Sequence, residues 1–63
     1  MAFKPECKLI GEDGNIFNLL GIASRTLKAE GMAEEAAEMR SRVFASGSYD
    51  EALCIIADYV EVI

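Results

Sequence analysis

The chain has 63 residues, 52% of them hydrophobic, and a formal net charge of −5 at pH 7. This length limits residues 1–63 to one small domain, because a chain of about 60 residues buries only ~60% of the surface that it exposes when unfolded. The negative charge argues against direct nucleic-acid or membrane-surface binding, and no apolar run approaches the ~20 residues of a membrane span.

The residue types also argue against an enzyme. Histidine, the commonest general base and metal ligand, is absent. Cys7 and Cys54 follow no apolar secretory signal, so we expect reduced thiols in a cytoplasmic protein. The acidic turn at residues 12–15 leads to apolar Phe17 where a calcium loop needs a ligand. We therefore predict no catalytic, cofactor-binding or metal-binding residues.

The first predicted elements are a loose lead-in over residues 1–6 and a short strand over about 7–10. Turn-forming residues follow at 11–15, including the pair Asp13-Gly14. Two continuations are open at this point. Residues 16–20 either form the second strand of a hairpin, or begin a helix that Asn15 or Asp13 caps.

Helical spacing favours the second continuation, with a first helix over about 16–29. The apolar residues that recur at helical intervals are Ile16, Leu19, Leu20, Ala23 and Leu27. Gly31 is in the place of a helix-terminating glycine. Gly21 lies inside the helix, where glycine is unfavourable, and we interpret it as a site of close helix crossing.

A second helix is predicted over about 33–45. Its apolar stripe consists of Met32, Ala36, Met39 and Val43, with Phe44 beside it. Glutamates dominate its first half and arginines its second half, which suits the helix dipole.

The third helix, over about 48–60, has the clearest start. Ser48 and Glu51 form a capping-box pattern, in which the serine accepts from the backbone of Glu51 and the glutamate reaches back. The helix carries two apolar stripes, which predicts burial on more than one side. In so small a domain, one side of this helix is expected to contact another molecule, together with the first helix. The candidate contact residues are Tyr49, Ile55 and Tyr59.

Residues 60–63 alternate and are rich in β-branched side chains, so they are a candidate strand beside residues 7–10. The predicted fold is therefore mainly α, with three short helices after a short extended segment. The alternative is an α+β fold in which the N- and C-terminal strands form a small sheet.

The run Leu9-Ile10-Gly11-Glu12-Asp13-Gly14-Asn15-Ile16-Phe17 resembles a motif of small, functionally uncharacterised bacterial and phage or prophage proteins. Gly47-Ser48-Tyr49-Asp50 and the final aromatic-containing helix resemble later parts of the same pattern. Ile16 and Ser48 depart from it, as does a weakly basic segment after Gly21. The resemblance implies a phage or prophage origin and implies no activity.

The leading functional hypothesis is a small acidic accessory protein that acts by protein–protein contact. Its partners would be itself, as a homodimer or higher oligomer, and an unknown protein. One alternative is an acidic inhibitor that mimics nucleic acid toward a basic protein, if its carboxylates form one face. The carboxylates in question are those of Glu34, Glu35, Glu38, Asp50, Asp58 and Glu61. Another alternative is a small-ligand site between subunits.

Overall fold

A computed structural model describes residues 3–63 of the chain. Three helices follow one another, and a short strand lies before the first and after the last. The helices are α1 (Ile16–Ala29), α2 (Ala33–Phe44) and α3 (Tyr49–Tyr59), and the strands are β1 (Glu6–Cys7) and β2 (Glu61–Val62). The strands pair in parallel as a two-stranded sheet. The mainly helical prediction is confirmed, together with the small terminal sheet of its alternative.

The opening turn leads into a helix, so the hairpin alternative over residues 16–20 is wrong. The chain turns at Gly11, whose φ is +91°, while the Glu12 N–H donates to the Leu9 carbonyl at 3.1 Å. Asn15 then caps α1, its side-chain oxygen accepting from the Phe17 N–H at 2.8 Å. A tight Asp-Gly hairpin needs a positive φ at Gly14, and Gly11 supplies the positive φ instead.

The end of α1 follows the prediction for Gly31. Its φ is +77°, its N–H donates to the Lys28 carbonyl at 3.0 Å, and the Met32 N–H donates to the Leu27 carbonyl at 2.8 Å. These two bonds form a Schellman motif, which ends a helix and satisfies its last carbonyls.

Gly21 does not mark a close helix crossing, contrary to our interpretation. A Cβ added there would meet only the end of the Arg25 side chain, at an ordinary contact distance of 3.6 Å. No other helix approaches this position closely enough to require glycine.

Ser48 caps α3 as predicted, because its hydroxyl accepts from the Glu51 N–H at 3.1 Å. The reciprocal half of the capping box differs from the prediction. The Glu51 carboxylate accepts from the N–H of Gly47 at 3.0 Å, one residue before the cap. The glutamate thereby fixes the loop between α2 and α3.

The terminal sheet begins earlier than the strand predicted over residues 7–10. Glu6 aligns with Glu61 and Cys7 with Val62. The lead-in over residues 1–6, which we predicted to be loose, makes hydrogen bonds to the rest of the chain through Lys4 and Pro5. The Lys4 ammonium donates to the Ala57 carbonyl at 2.9 Å, and the buried Pro5 accepts from the Glu61 N–H. Residues 1 and 2 of that lead-in lie outside the described residues.

One hydrophobic core joins the three helices and the sheet. α2 packs between α1 and α3, and α1 also contacts β1. The largest fully buried side chains are those of Cys7, Leu20, Leu27, Met39, Ile56 and Val60. Both apolar stripes of α3 contribute to this core, through Ala52, Ile55 and Ile56. The chain itself therefore covers most of the apolar surface of α3.

Candidate functional site

The most exposed large apolar groups on the helices are two phenylalanine rings. Phe17, in the first turn of α1, is 66% exposed, and Phe44, at the end of α2, is 58% exposed. Their ring centroids lie 6.2 Å apart with a 37° interplanar angle, which is a favourable aromatic geometry. The Arg40 guanidinium carbon lies 5.5 Å from the Phe44 centroid, so a cation covers one side of the pair.

A first cleft separates this aromatic pair from the start of α3. It has a volume of about 370 Å³, and its walls include Phe17, Phe44 and Tyr49. Val43 and Ala52 close its floor, and the loop at Gly47 forms one end. Since Glu51 holds the Gly47 N–H, this end of the cleft has a fixed shape.

A second cleft, of about 310 Å³, lies on the other side of Tyr49. Ile10, Leu53 and Val62 are among its lining residues, so its wall is almost entirely apolar. The Tyr49 hydroxyl donates to the Gly14 carbonyl. This hydrogen bond fixes the ring that both clefts share and connects the opening turn to α3.

We call the surface formed by Phe17, Phe44 and Tyr49 around the first cleft the aromatic face. Each of these side chains is at least 47% exposed, and each lines the first cleft. A cluster of exposed apolar side chains of this kind is typical of a protein-binding surface. Aromatic residues are enriched at the centres of such surfaces.

The three predicted contact residues occupy three different environments. Tyr49 is 47% exposed and belongs to the aromatic face. Ile55 is only 7% exposed and packs within the core, so we no longer regard it as a contact residue. Tyr59 is partly buried at the opposite end of α3. The structure therefore does not bring the three together.

Sequence reasoning missed the rest of the aromatic face. Phe17 lies one position outside the apolar stripe of α1, and Phe44 lies beside the last residue of the α2 stripe. The signal available in the sequence was a large aromatic residue next to an apolar stripe, a position from which its ring is directed away from the core.

Tyr59 belongs to a small polar cluster on the other side of α3. Arg42 donates to the Tyr59 hydroxyl at 3.2 Å and to the Asp58 carboxylate at 3.2 Å. The hydrogen bond that Arg42 donates to Tyr59, together with the nearby Asp58 charge, raises the pKa of Arg42 above its ordinary value. The guanidinium carbon also lies 5.5 Å from the Tyr59 ring centroid. Asp58 and Tyr59 also line a third depression, together with Phe3, Lys4 and Glu35.

A cation lies among the carboxylates that the nucleic-acid-mimic alternative requires. Arg42 and Asp58 form the one ion pair within 4.0 Å in the part of the chain that the structure describes. Asp50 lies near the start of α3, two turns from Asp58. A basic side chain thus interrupts the acidic surface that this alternative needs.

The cysteines are both free thiols in the structure. Cys7 is buried, and the Thr26 hydroxyl lies 3.5 Å from its sulfur, whereas Cys54 is exposed on α3. Within residues 3–63, no three Cys, Asp or Glu side chains cluster closely enough to hold a metal ion. None of the helices in that range has both the length and the apolar character that crossing a bilayer requires.

No family model, curated protein or solved structure matches this chain.

Proposed function

We propose that this chain is a small acidic accessory protein without enzymatic activity, which acts in the cytoplasm by protein–protein contact. The observation that carries the proposal is the aromatic face, where three aromatic rings surround a cleft that the chain leaves open. The phage or prophage origin that we propose with it rests only on the resemblance of the opening motif.

The mechanism is the covering of an apolar surface on another protein. Burial of apolar area is worth roughly 25 cal/mol per Å², and buried aromatic anchors contribute most to such contacts. Asp13 and Asp50 are exposed and adjoin Gly14 and Tyr49 in sequence. A partner with an apolar centre and basic side chains at its margin would match this arrangement.

The second partner that we propose is another copy of the chain. The argument comes from the excess of apolar surface in a domain this small. Ile10, Val62 and Ile63 remain exposed beside the terminal sheet. Ile10 and Val62 line the second cleft, whereas Phe17 and Phe44 line the first. The first cleft with its phenylalanine rings and the apolar residues beside the terminal sheet lie on opposite sides of Tyr49, and we propose the second of these regions as the contact with a second copy.

The test compares two immobilised variants with the unmodified chain in a lysate of the source cells. The first variant, Phe17→Ser with Phe44→Ser, removes both rings of the aromatic pair. The matched control, Lys28→Gln with Glu34→Gln, changes two exposed residues that line neither cleft and leaves the net charge unchanged. Circular dichroism checks that both variants fold.

A protein captured by the chain and by the control, but not by the aromatic variant, would support the proposal. Its affinity, measured with the purified partner by calorimetry, is expected to fall at least ~10-fold in the aromatic variant. Equal affinity for both variants would contradict a role for the aromatic face. An affinity that disappears at high salt in all three proteins would indicate instead that charge dominates the contact.

A further inference from the structure

The second cleft has a buried floor and an exposed rim. Its floor includes the buried residues Leu9, Leu19 and Ile56, and its rim includes the exposed residues Ile10, Tyr49 and Val62. Its volume of about 310 Å³ lies at the lower end of the range of small-ligand pockets, which is roughly 300–1,000 Å³. The chain therefore leaves room here for the apolar body of a small molecule, about the size of a bicyclic aromatic ring.

Tyr49 supplies the one polar side chain among the residues that line this cleft in the described part of the chain. Its hydroxyl proton is already engaged, because the hydroxyl donates to the Gly14 carbonyl. A phenol oxygen that donates its proton still accepts through its lone pairs. The hydrogen-bonding capacity that Tyr49 retains is therefore that of an acceptor, which matches a ligand that carries a donor.

The charges beside this rim are negative. The opening turn, whose ends Ile10 and Gly14 both line the cleft, carries the exposed pair Glu12-Asp13. Asp50, which is also exposed, lies three residues before Leu53 on α3. Residues at this spacing lie on the same face of a helix, so the Asp50 carboxylate adjoins the part of the cleft that Leu53 lines.

No basic residue compensates these carboxylates from the wall of the cleft. Within residues 3–63, neither lysine nor arginine is among the residues that line it. Lys8 is the nearest cation in the sequence, but it alternates with buried Cys7 and Leu9 in an extended segment. Successive side chains of an extended segment point to opposite sides, so Lys8 is directed away from the side on which Leu9 lines the cleft. An acceptor beside uncompensated carboxylates selects a cationic donor over a carboxylate.

We propose that the second cleft binds a small amine with an apolar body, of the arylalkylamine class. The body covers Leu53 and Ile56, and the ammonium lies at the rim beside Tyr49 and the carboxylates of Asp13 and Asp50. Apolar burial supplies most of the affinity, and the carboxylates select the charge of the ligand. This inference goes beyond the protein contacts proposed above and does not depend on them.

The first test compares three probes that share one body and differ in charge. Tryptamine carries the ammonium, indolepropionate carries a carboxylate on a chain of the same length, and ethylindole is neutral. In NMR titrations of the isotope-labelled chain at low ionic strength, tryptamine is expected to bind with a Kd of about 1 mM or below. This Kd should be at least ~3-fold lower than that of ethylindole and at least ~10-fold lower than that of indolepropionate.

The same titrations locate the bound probe. The amide signals of Ile10, Gly14, Leu53 and Val62 are expected to shift most, because these residues line the cleft. Leu53→Trp fills the cleft and is expected to raise the Kd of all three probes at least ~10-fold. The matched control Phe44→Trp enlarges a side chain that lines only the first cleft, and it should change each Kd less than ~3-fold. Circular dichroism checks that both variants fold.

The second test removes the charges and leaves the apolar wall intact. Asp13→Asn with Asp50→Asn neutralises two carboxylates, and the new amide oxygen at position 13 still accepts from the Asn15 N–H. The matched control, Glu34→Gln with Glu38→Gln, removes the same charge from exposed residues of α2 that do not line the cleft. The Kd of tryptamine is expected to rise at least ~3-fold in the first variant and less than ~2-fold in the control. The Kd of ethylindole should stay the same in both.

The outcomes test the amine and its location separately. Equal affinity for tryptamine and indolepropionate, or tighter binding of the carboxylate, would overturn the selection of an amine. Amide shifts confined to other parts of the chain, or binding that Leu53→Trp leaves unchanged, would overturn the location. Ile10 and Val62 also belong to the region proposed for a second copy, so the titrations use a concentration at which ultracentrifugation shows a monomer. Failure of all three probes to bind that monomer would overturn the inference and leave the proposed protein contacts unaffected.

Discussion

The third helix and the aromatic pair on the first two helices differ in a way that the sequence does not reveal. α3 carries apolar residues around most of its circumference, yet the core, the neighbouring helices and the sheet cover Ile55 and Ile56 almost completely. α1 and α2 have a single apolar stripe each, yet Phe17 and Phe44 remain more than half exposed. The two helices with a single apolar stripe thus carry the most exposed large apolar side chains of the three helices.

The difference teaches that apolar character alone does not locate an interaction surface. A helix that is apolar on two sides needs two neighbours, and this fold supplies them within one chain. An aromatic residue just outside a stripe has no neighbour assigned to it by the helical period. In this domain the candidate contact surface therefore lies at the margins of the stripes.

The largest expected effect on stability comes from Ile55, and it tests whether this side chain supports the core as its burial indicates. Ile55→Ala removes a side chain that is 7% exposed and is expected to reduce the free energy of unfolding by about 2–4 kcal/mol. Urea denaturation followed by circular dichroism measures it. A loss below ~1 kcal/mol would place Ile55 at a loosely packed surface and restore it as a candidate contact residue.

Removal of the N-cap of α3 tests how much this cap, which lies beside the first cleft, contributes to the stability of the domain. Ser48→Ala deletes the hydroxyl that accepts from the Glu51 N–H at 3.1 Å, and it is expected to cost about 1 kcal/mol. The same denaturation experiment measures it, with Ser48→Thr as the control that retains a capping oxygen. Equal losses in the two variants would contradict a capping role for the hydroxyl.

Gly21 allows a change of opposite sign on α1. Gly21→Ala adds a Cβ that meets only the Arg25 side chain at 3.6 Å, and alanine is the better helix former. The expected result is a stabilisation of about 0.5–1 kcal/mol, measured as a rise in Tm and in the urea midpoint. Destabilisation would show that another segment does approach this position, as in a close helix crossing.

The smallest expected change in stability comes from Phe17, which is one of the two exposed phenylalanines of the aromatic face. Phe17→Ala loses the ring contact with Phe44 but gains helix propensity, and the two effects are each about 0.5 kcal/mol. The free energy of unfolding is thus expected to change by less than ~0.5 kcal/mol, in contrast with Ile55→Ala. A loss of ~2 kcal/mol or more would mean that Phe17 supports the fold and is not reserved for a partner.

Local signals predicted most of the fold. The helix ends follow from side chains that act on their own neighbours: Asn15 and Ser48 cap α1 and α3, and Gly31 ends α1 in a left-handed conformation. The stripes correctly identified buried Leu20, Met39 and other members of the core. These features depend on interactions over a few residues, which a sequence displays directly.

The candidate site was less predictable because it depends on contacts between distant segments. Tyr49 was identified, but the second cleft also needs Ile10 and Val62, which only the complete fold brings next to α3. The sequence correctly favoured a helix over a hairpin after the opening turn, because apolar residues recur at helical intervals from Ile16. Which glycine turns the chain was not predictable, since Gly11 and Gly14 are equally permissive in isolation.

The terminal sheet has a consequence for the order of folding. The hydrogen bond from Lys4 to Ala57 joins positions 53 residues apart, and the β1–β2 ladder joins segments at similar separation. Closing so long a loop costs conformational entropy, whereas the helices and their caps form from local contacts. We therefore expect the ladder to assemble after the helices have packed. The terminal sheet would then exist only in the completed fold, so a molecule that contacts Val62 and the second cleft beside it recognises the finished domain and not the newly made chain.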